Sequence, residues 1–288
     1  MSQPSPQQTQ LQPLTYTALN AYLTAHAHEV VEIEILPPAL EPSDSLLLED
    51  GANLGLPKKV LALAYVHARH VFFENKASQN PAARLATLEA TRVMLLFDPE
   101  HLTAANYRKR ALLWLEGEGE RKGFMDAVWK ERRFLDSILT SPLHRQSKSP
   151  TLWAHRAWLL KYFSLNSDVD FEAFFTEELE AVMKSGERHP KNYYAWQYAR
   201  TLLGAAPGLL HEGDWVGLRK RLTMQVRDWC CQHPSDVSGW MFLAWLLERG
   251  DVEVTSTVLR YVVEYAASVR LVNESLWLFV RRTEKQQS

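Results

Sequence analysis

With 288 residues, 46% of them apolar and 23% charged, the chain is long enough to bury an extended core, and its balance is that of an ordinary water-facing protein. A formal net charge of −2 supplies no overall basic field, so nucleic acid is not an expected partner. No apolar run reaches the roughly 18–20 residues that a bilayer span requires, so no transmembrane segment is expected either.

Residues 1–13 are polar and rich in Pro and Gln, a composition that predicts a disordered tail with neither the basic nor the apolar region of a secretory leader. Residues 14–57 read as an N-terminal extension. Its one stretch of strict alternation, Val31 to Ile35, predicts a single extended segment, and Pro37 to Pro57 reads as loop. A helix is predicted over Lys58–Asn75, with Leu61, Tyr65, Ala68 and Phe72 on one face. From residue 58 to 282 the pattern is helical and repetitive, and 283–288 reads as a tail. Cys230 and Cys231 are adjacent, a spacing that strains a disulfide, and no metal-ligand partners stand at ligand spacing nearby. They read as packed thiols in a reducing, cytoplasmic setting. His67 and His70 share a helix face without a third ligand in view, which argues against a metal there.

Five segments align on one position. Tryptophan fills it at Trp153, Trp196, Trp240 and Trp277, and Ala105 fills it in a weaker first copy. The steps between these anchors are 48, 43, 44 and 37 residues, as helical hairpins with loops of varying length require. Four residues before each tryptophan stands a side chain that caps helices: Ser149, Asn192, Asp236 and Asn273. Pro99, Pro190 and Pro234 lie six residues before their anchors, where they end the preceding helix or turn. Amphipathic helices precede the turns. They carry Leu85, Leu88, Val93, Leu96 and Phe97; Phe124, Val128, Leu135 and Ile138; Leu179, Val182 and Met183; and Leu222, Val226 and Trp229. The segment Val254 to Leu271 supplies the last of them. The expected fold is all-α, an α/α superhelix: a crescent-shaped, tetratricopeptide-like solenoid of helical hairpins.

The recurring pattern Pro-x-Asn-Tyr-x-x-Trp-x-x-Arg, clearest from His189 to Tyr198, resembles the repeat of the protein prenyltransferase α-subunit family. The resemblance covers roughly residues 30–282. It implies an α subunit that transfers nothing alone. The expected partner is a prenyltransferase β subunit, of the Rab geranylgeranyltransferase type, carrying the zinc and most of the lipid pocket, with no cofactor on this chain. The expected substrates are an isoprenoid diphosphate, geranylgeranyl in preference to farnesyl, and an acceptor protein with a C-terminal cysteine. A helical-repeat scaffold that binds protein partners without catalysis is the alternative.

Transfer to a thiol leaves a diphosphate whose negative charge grows as the allylic C–O bond breaks, so cations and hydroxyls beside it stabilise the transition state. In the family, a lysine five residues before the second-repeat tryptophan serves this end, and here that position is Lys148. A family tyrosine three residues before the same tryptophan is replaced by Pro150. In the third repeat a Tyr-His pair becomes Tyr193 and Tyr194, so a hydroxyl is kept and a cationic group is lost. Lys191 is a further candidate cation. Each has a plainer reading: Lys148 a solvated lysine, Tyr193 a packing residue, Asn192 a helix cap, the tryptophans core. Arg156 and His155 read as inter-helix hydrogen-bond partners. Arg108, Lys109 and Arg110 read as a solvated helix surface.

Overall fold

A computed structural model describes residues 6–164 and 169–287 of the chain. Among these it has thirteen α-helices, two 3₁₀ turns and one small sheet, so the all-α helical-repeat expectation holds. The chain divides into two compact units, Met1–Tyr162 and Phe163–Ser288, each with its own repeats.

The first unit begins with α1 (Pro6–Ala25), which overturns most of the expected N-terminal tail. Leu19, Tyr22 and Leu23 recur at helical spacing and are buried, as are Gln12 and Thr15. A polar, Gln-rich composition conceals this amphipathic face. Next come β1 (Glu32–Leu36), β2 (Leu48–Asp50) and β3 (Asn53–Pro57), in the order β1-β3-β2. β1 runs parallel to β3, and β2 pairs with it antiparallel. The extended segment at β1 was legible. The other two strands correct the loop reading of 37–57. β2 is only three residues long, and Gly55 and Pro57 in β3 mask the alternation that buries Leu54 and Leu56. Gly51, with φ 54°, makes the tight turn between β2 and β3.

The helices of this unit are α2 (Lys58–Asn75), α3 (Pro81–Phe97), α4 (Leu102–Glu118), α5 (Arg121–Leu139), the single turn α6 (His144–Ser147) and α7 (Pro150–Ser164). α2 has the predicted bounds, and Tyr65 on it stacks on Phe97 of α3 at 4.1 Å. α3 buries Thr87, Ala90, Thr91, Val93, Met94, Leu95 and Leu96, so its inward face is rotated from the expected one and Leu85 is exposed. The sheet joins the helices through the Val31 N–H, which donates to Ser137 Oγ on α5 at 2.8 Å.

The second unit contains α8 (Phe171–Arg188), α9 (Tyr193–Ala205), α10 (Glu212–Gln232), α11 (Val237–Leu247), α12 (Val252–Ser268) and α13 (Glu274–Gln287). Pairs α8/α9, α10/α11 and α12/α13 are the hairpins that the anchor spacing predicts. α11 is buried nearly all round, its Trp240, Phe242, Leu243, Ala244, Leu246 and Leu247 facing neighbours on several sides. α13 runs through most of the expected C-terminal tail and buries Thr283 within it. Cys230 and Cys231 are both buried free thiols. Burial pushes Cys230 well above, and Cys231 up to about 11 from, the ordinary thiol range, so neither supplies a thiolate.

Candidate functional site

The repeat geometry rests on its caps. Ser149 Oγ accepts the Leu152 N–H at 3.1 Å, Asn192 Oδ1 the Ala195 N–H at 3.4 Å, Asp236 Oδ1 the Gly239 N–H at 2.9 Å, and Asn273 Oδ1 the Ser275 N–H at 2.9 Å. In the first copy His101 Nδ1 accepts the Ala104 N–H at 3.3 Å, so a fifth cap stands four residues before Ala105. Each cap carbonyl then accepts the N–H of its anchor, the first α-helical bond of that helix. Two indoles also reach back six residues: Trp153 Nε1 donates to Ser147 O at 2.8 Å, and Trp240 Nε1 to Pro234 O at 2.9 Å. Trp153, Trp196 and Trp240 are core residues, as expected.

Trp277 is not core. It is 37% exposed. Trp196 packs on Phe242 at 5.1 Å and Trp240 on Phe279 at 5.0 Å, each ring meeting the aromatic residue two places past the next anchor. α13 buries Leu276, Phe279 and Val280, and among the described residues no further anchor helix follows to cover its tryptophan.

Adjacent turns are stitched together by the same caps. Ser149 Oγ donates to Pro99 O at 3.1 Å and bonds the Glu100 carboxylate, which also accepts from Thr151 Oγ1 at 2.6 Å. In the second unit the Lys191 N–H donates to Asp236 Oδ2 at 2.6 Å. Glu100 and Lys191 occupy one repeat position, five residues before their anchors, and so does Lys148.

The predicted site residues fall into both units. Lys148 caps the C-terminus of α6 in the first unit and is half-buried, directly before the Ser149 cap. Pro150 is the first residue of α7 and exposed, a position where proline costs nothing and where no hydroxyl is now available. Lys191, Tyr193 and Tyr194 come together at the start of α9 in the second unit. Tyr193 and Tyr194 are 59% and 41% exposed, with their rings edge-to-face at 5.7 Å. The packing reading of Tyr193 is therefore replaced by an outward-facing phenol. Lys191 is exposed and adopts φ 61°, a left-handed backbone held by its Asp236 bond and by the Tyr193 N–H on its carbonyl at 2.9 Å. Asn192 is the buried cap that the sequence predicts, and its Nδ2 donates to Ser185 Oγ at 2.9 Å.

Two charged features differ from the reading of the sequence. Arg200 follows Tyr193 by two turns of α9, one place past the position where the repeat pattern puts its arginine. It lies over the Phe242 ring at 5.6 Å, and burial, with the nearby Arg282, lowers its pKa. The repeat pattern itself was the available signal. Arg108 is buried instead of solvated, and of its neighbours only Arg110 is exposed, Lys109 being half-buried. Arg108 Nε donates to Glu131 Oε1 at 2.8 Å, and its Nη2 pairs with Glu131 Oε2. Glu131 also faces His155 Nε2 at 3.3 Å. Arg156 Nη1 stands 2.6 Å from Asp136 Oδ1, and Arg132 approaches the same carboxylate. Arg108 and Arg156 share one repeat position, three past the anchor, and each takes a carboxylate from α5.

Burial sets the protonation of this network. Desolvation lowers His155 from 6.5 to about 4, outweighing the pull of Glu131 toward the charged form, so the ring is neutral at pH 7. Glu131 feels an upward push from burial, but Arg108 and His155 hold it below the ordinary carboxylate range.

The sequence of the chain is similar to those of several known proteins. The family model of the ECM9 middle domain matches residues 152–274. Geranylgeranyl transferase type-2 subunit alpha of Saccharomyces cerevisiae is 22% identical over 204 residues, covering 68% of this chain and 58% of that protein. Protein prenyltransferase alpha subunit repeat-containing protein 1 of Homo sapiens is 26% identical over 203 residues, covering 65% and 45%. Protein ECM9 of S. cerevisiae is 24% identical over 201 residues, covering 69% and 50%. The chain is thus similar, at 22–26% identity, to proteins of the prenyltransferase alpha subunit type. It spans about half the length of the curated relatives it matches. No helix of the described residues is long and apolar enough to cross a membrane, and none of their His, Cys, Asp and Glu side chains gather in threes as a metal would require.

Proposed function

We propose that the chain is the α subunit of a heterodimeric protein prenyltransferase, which supports transfer of an isoprenoid, geranylgeranyl in preference to farnesyl, from its diphosphate to a protein cysteine thiol. This reading is supported by Lys148 and Tyr193 standing at the family's site positions in the second and third repeats, with Lys191 a further cation just before Tyr193 that no family position assigns. Tyr193 presents an outward hydroxyl that can donate to a departing diphosphate, and Lys148, by its repeat position alone, is a cation of the kind such a group needs. Tyr194 adds a second hydroxyl where the family has a cation. Zinc in this reading belongs to the β subunit, of the Rab geranylgeranyltransferase type. The two thiols of this chain are buried and protonated, a donor set that does not fit the metal. The reading also implies an acceptor protein ending in a cysteine, and a cytoplasmic setting.

Co-purification tests it. A tagged chain is expected to bring down a barrel-type β subunit, and the pair to transfer geranylgeranyl from its diphosphate faster than farnesyl. Recovery of no β subunit, together with no transfer when one is added, would sink the proposal.

One observation favours a second reading, a scaffold that binds protein partners without transfer. Pro150 and Tyr194 each remove a polar or cationic group from the family's diphosphate site. A scaffold keeps its partner when Lys148 is changed to Ala and has no transfer to lose.

A further inference from the structure

The first unit holds a cavity of about 310 Å3 that the repeat reading does not use. It opens between α1, α3, α4 and α5, away from Lys148, and its size is at the low end for small-molecule sites. Leu23, Leu88, Leu112, Leu115 and Phe134 give it an apolar wall. Its polar end is formed by Arg92 and by the Arg108–Glu131 pair.

The pairing at that end is unbalanced. Glu131 is committed to Arg108 through both carboxylate oxygens, and Arg108 also donates to Thr91 Oγ1 at 2.9 Å and lies over the Phe134 ring at 4.3 Å. Arg92 has no carboxylate of its own within hydrogen-bond reach. Its Nη2 donates to Thr24 Oγ1 at 2.8 Å, Glu89 stands off at 3.7 Å, and its buried Nε has no partner. Its side chain is only 13% exposed. The remaining carboxylates at the rim are more open to solvent: Glu89, and Glu29, which is engaged by His26 Nδ1 at 3.0 Å. Lys130 at the rim pairs with Asp126 at 2.7 Å. Of the two guanidiniums at the deep end, Arg108 has a carboxylate in hydrogen-bond contact, while Arg92 has only the partly exposed Glu89 at 3.7 Å. A buried guanidinium with unused donors beside an apolar cavity is short of an anion.

We propose that this cavity binds a small amphipathic anion, its carboxylate or phosphate head on Arg92 and its short aliphatic tail along Leu23, Leu88, Leu112 and Leu115. Burial and the neighbouring Arg108 lower the Arg92 pKa to about 10 against the opposing pull of Glu89 and Glu131. The inference does not depend on prenyl transfer.

Calorimetric titration of the full chain with octanoate, octyl phosphate, octan-1-ol and octylammonium tests it. At least one of the two anions is expected to bind saturably, about tenfold or more tighter than the alcohol or the cation. Arg92→Leu should abolish that margin and Arg92→Lys retain part of it. Leu115→Trp, which blocks the apolar wall and leaves the charges, should abolish binding altogether. Circular dichroism establishes that each variant is folded. Whichever anion binds more tightly identifies the head group. The proposal is overturned if octan-1-ol binds as tightly as the anions, if folded Arg92→Leu binds them unchanged, or if neither anion binds the wild-type chain at about 1 mM.

Discussion

The two units use one hairpin plan with different interiors. In the first, the positions two and three past the anchors hold Tyr107 and Arg108, then His155 and Arg156, all buried, and all but Tyr107 face carboxylates of α5. In the second, the same positions hold Tyr198 and Ala199, Phe242 and Leu243, and Phe279 and Val280. Only Tyr198 keeps a polar partner there, bonding Glu178. Cap and anchor build the hairpin in both units, and the next turn of the helix decides whether its neighbours are held by ion pairs or by apolar packing. Ion pairs tolerate the loss of one partner badly, because a charge stays buried. Apolar contacts lose in proportion to the volume removed.

Arg156→Ala should break the comparison most sharply. It strands Asp136 beside a more distant Arg132, and a loss of about 3–5 kcal/mol is expected in denaturant unfolding. Arg156→Met with Asp136→Leu should recover much of that loss, since no charge of the pair is then left alone. A double variant as unstable as the single one would contradict the ionic account. In the second unit, Trp240→Ala should cost about 3–5 kcal/mol. Trp277→Ala, at an exposed anchor, should cost less than about 1 kcal/mol. Equal losses from the two would show that Trp277 is covered after all.

The pH response separates the units next. His155 titrates at about 4 in the native chain against 6.5 unfolded. Between those values the unfolded chain binds a proton that the native chain does not, so stability falls as pH drops from about 6.5 toward 4. The contribution reaches about 2 kcal/mol by pH 5. His155→Gln should flatten that part of the stability–pH curve, and an unchanged slope would count against a neutral buried ring. A modest effect belongs to a feature both units share: Asn273→Ala should cost about 1 kcal/mol, as a cap does, with fraying of α13 read by amide exchange.

The hairpins were legible because their signals are local. A cap four residues before a tryptophan, with a proline two residues before the cap, specifies a helix start without reference to the rest of the chain. The small sheet was not legible, since β2 is three residues long and β3 carries Gly55 and Pro57 in place of alternation. α1 was missed because Pro13 and the surrounding glutamines outweigh, in composition, the spacing of Leu19, Tyr22 and Leu23. Arg108 misled for the opposite reason: three consecutive basic residues suggest solvent, while only the first of them points to Glu131. Trp277 shows that a repeat position alone does not predict burial. At the candidate site the residue types could be read, but the left-handed turn at Lys191 and the outward Tyr193 depend on Asp236, 45 residues away.

The proposed function has this chain lend charge to isoprenoid transfer on a partner. The most direct measurement is kcat for geranylgeranyl transfer by the chain assembled with a β subunit, compared between wild type and Lys148→Ala at saturating acceptor. An unchanged complex and a kcat lower by about tenfold or more are expected, the share of one charge-stabilising donor. An assembled pair that transfers at the same rate without the lysine would contradict it.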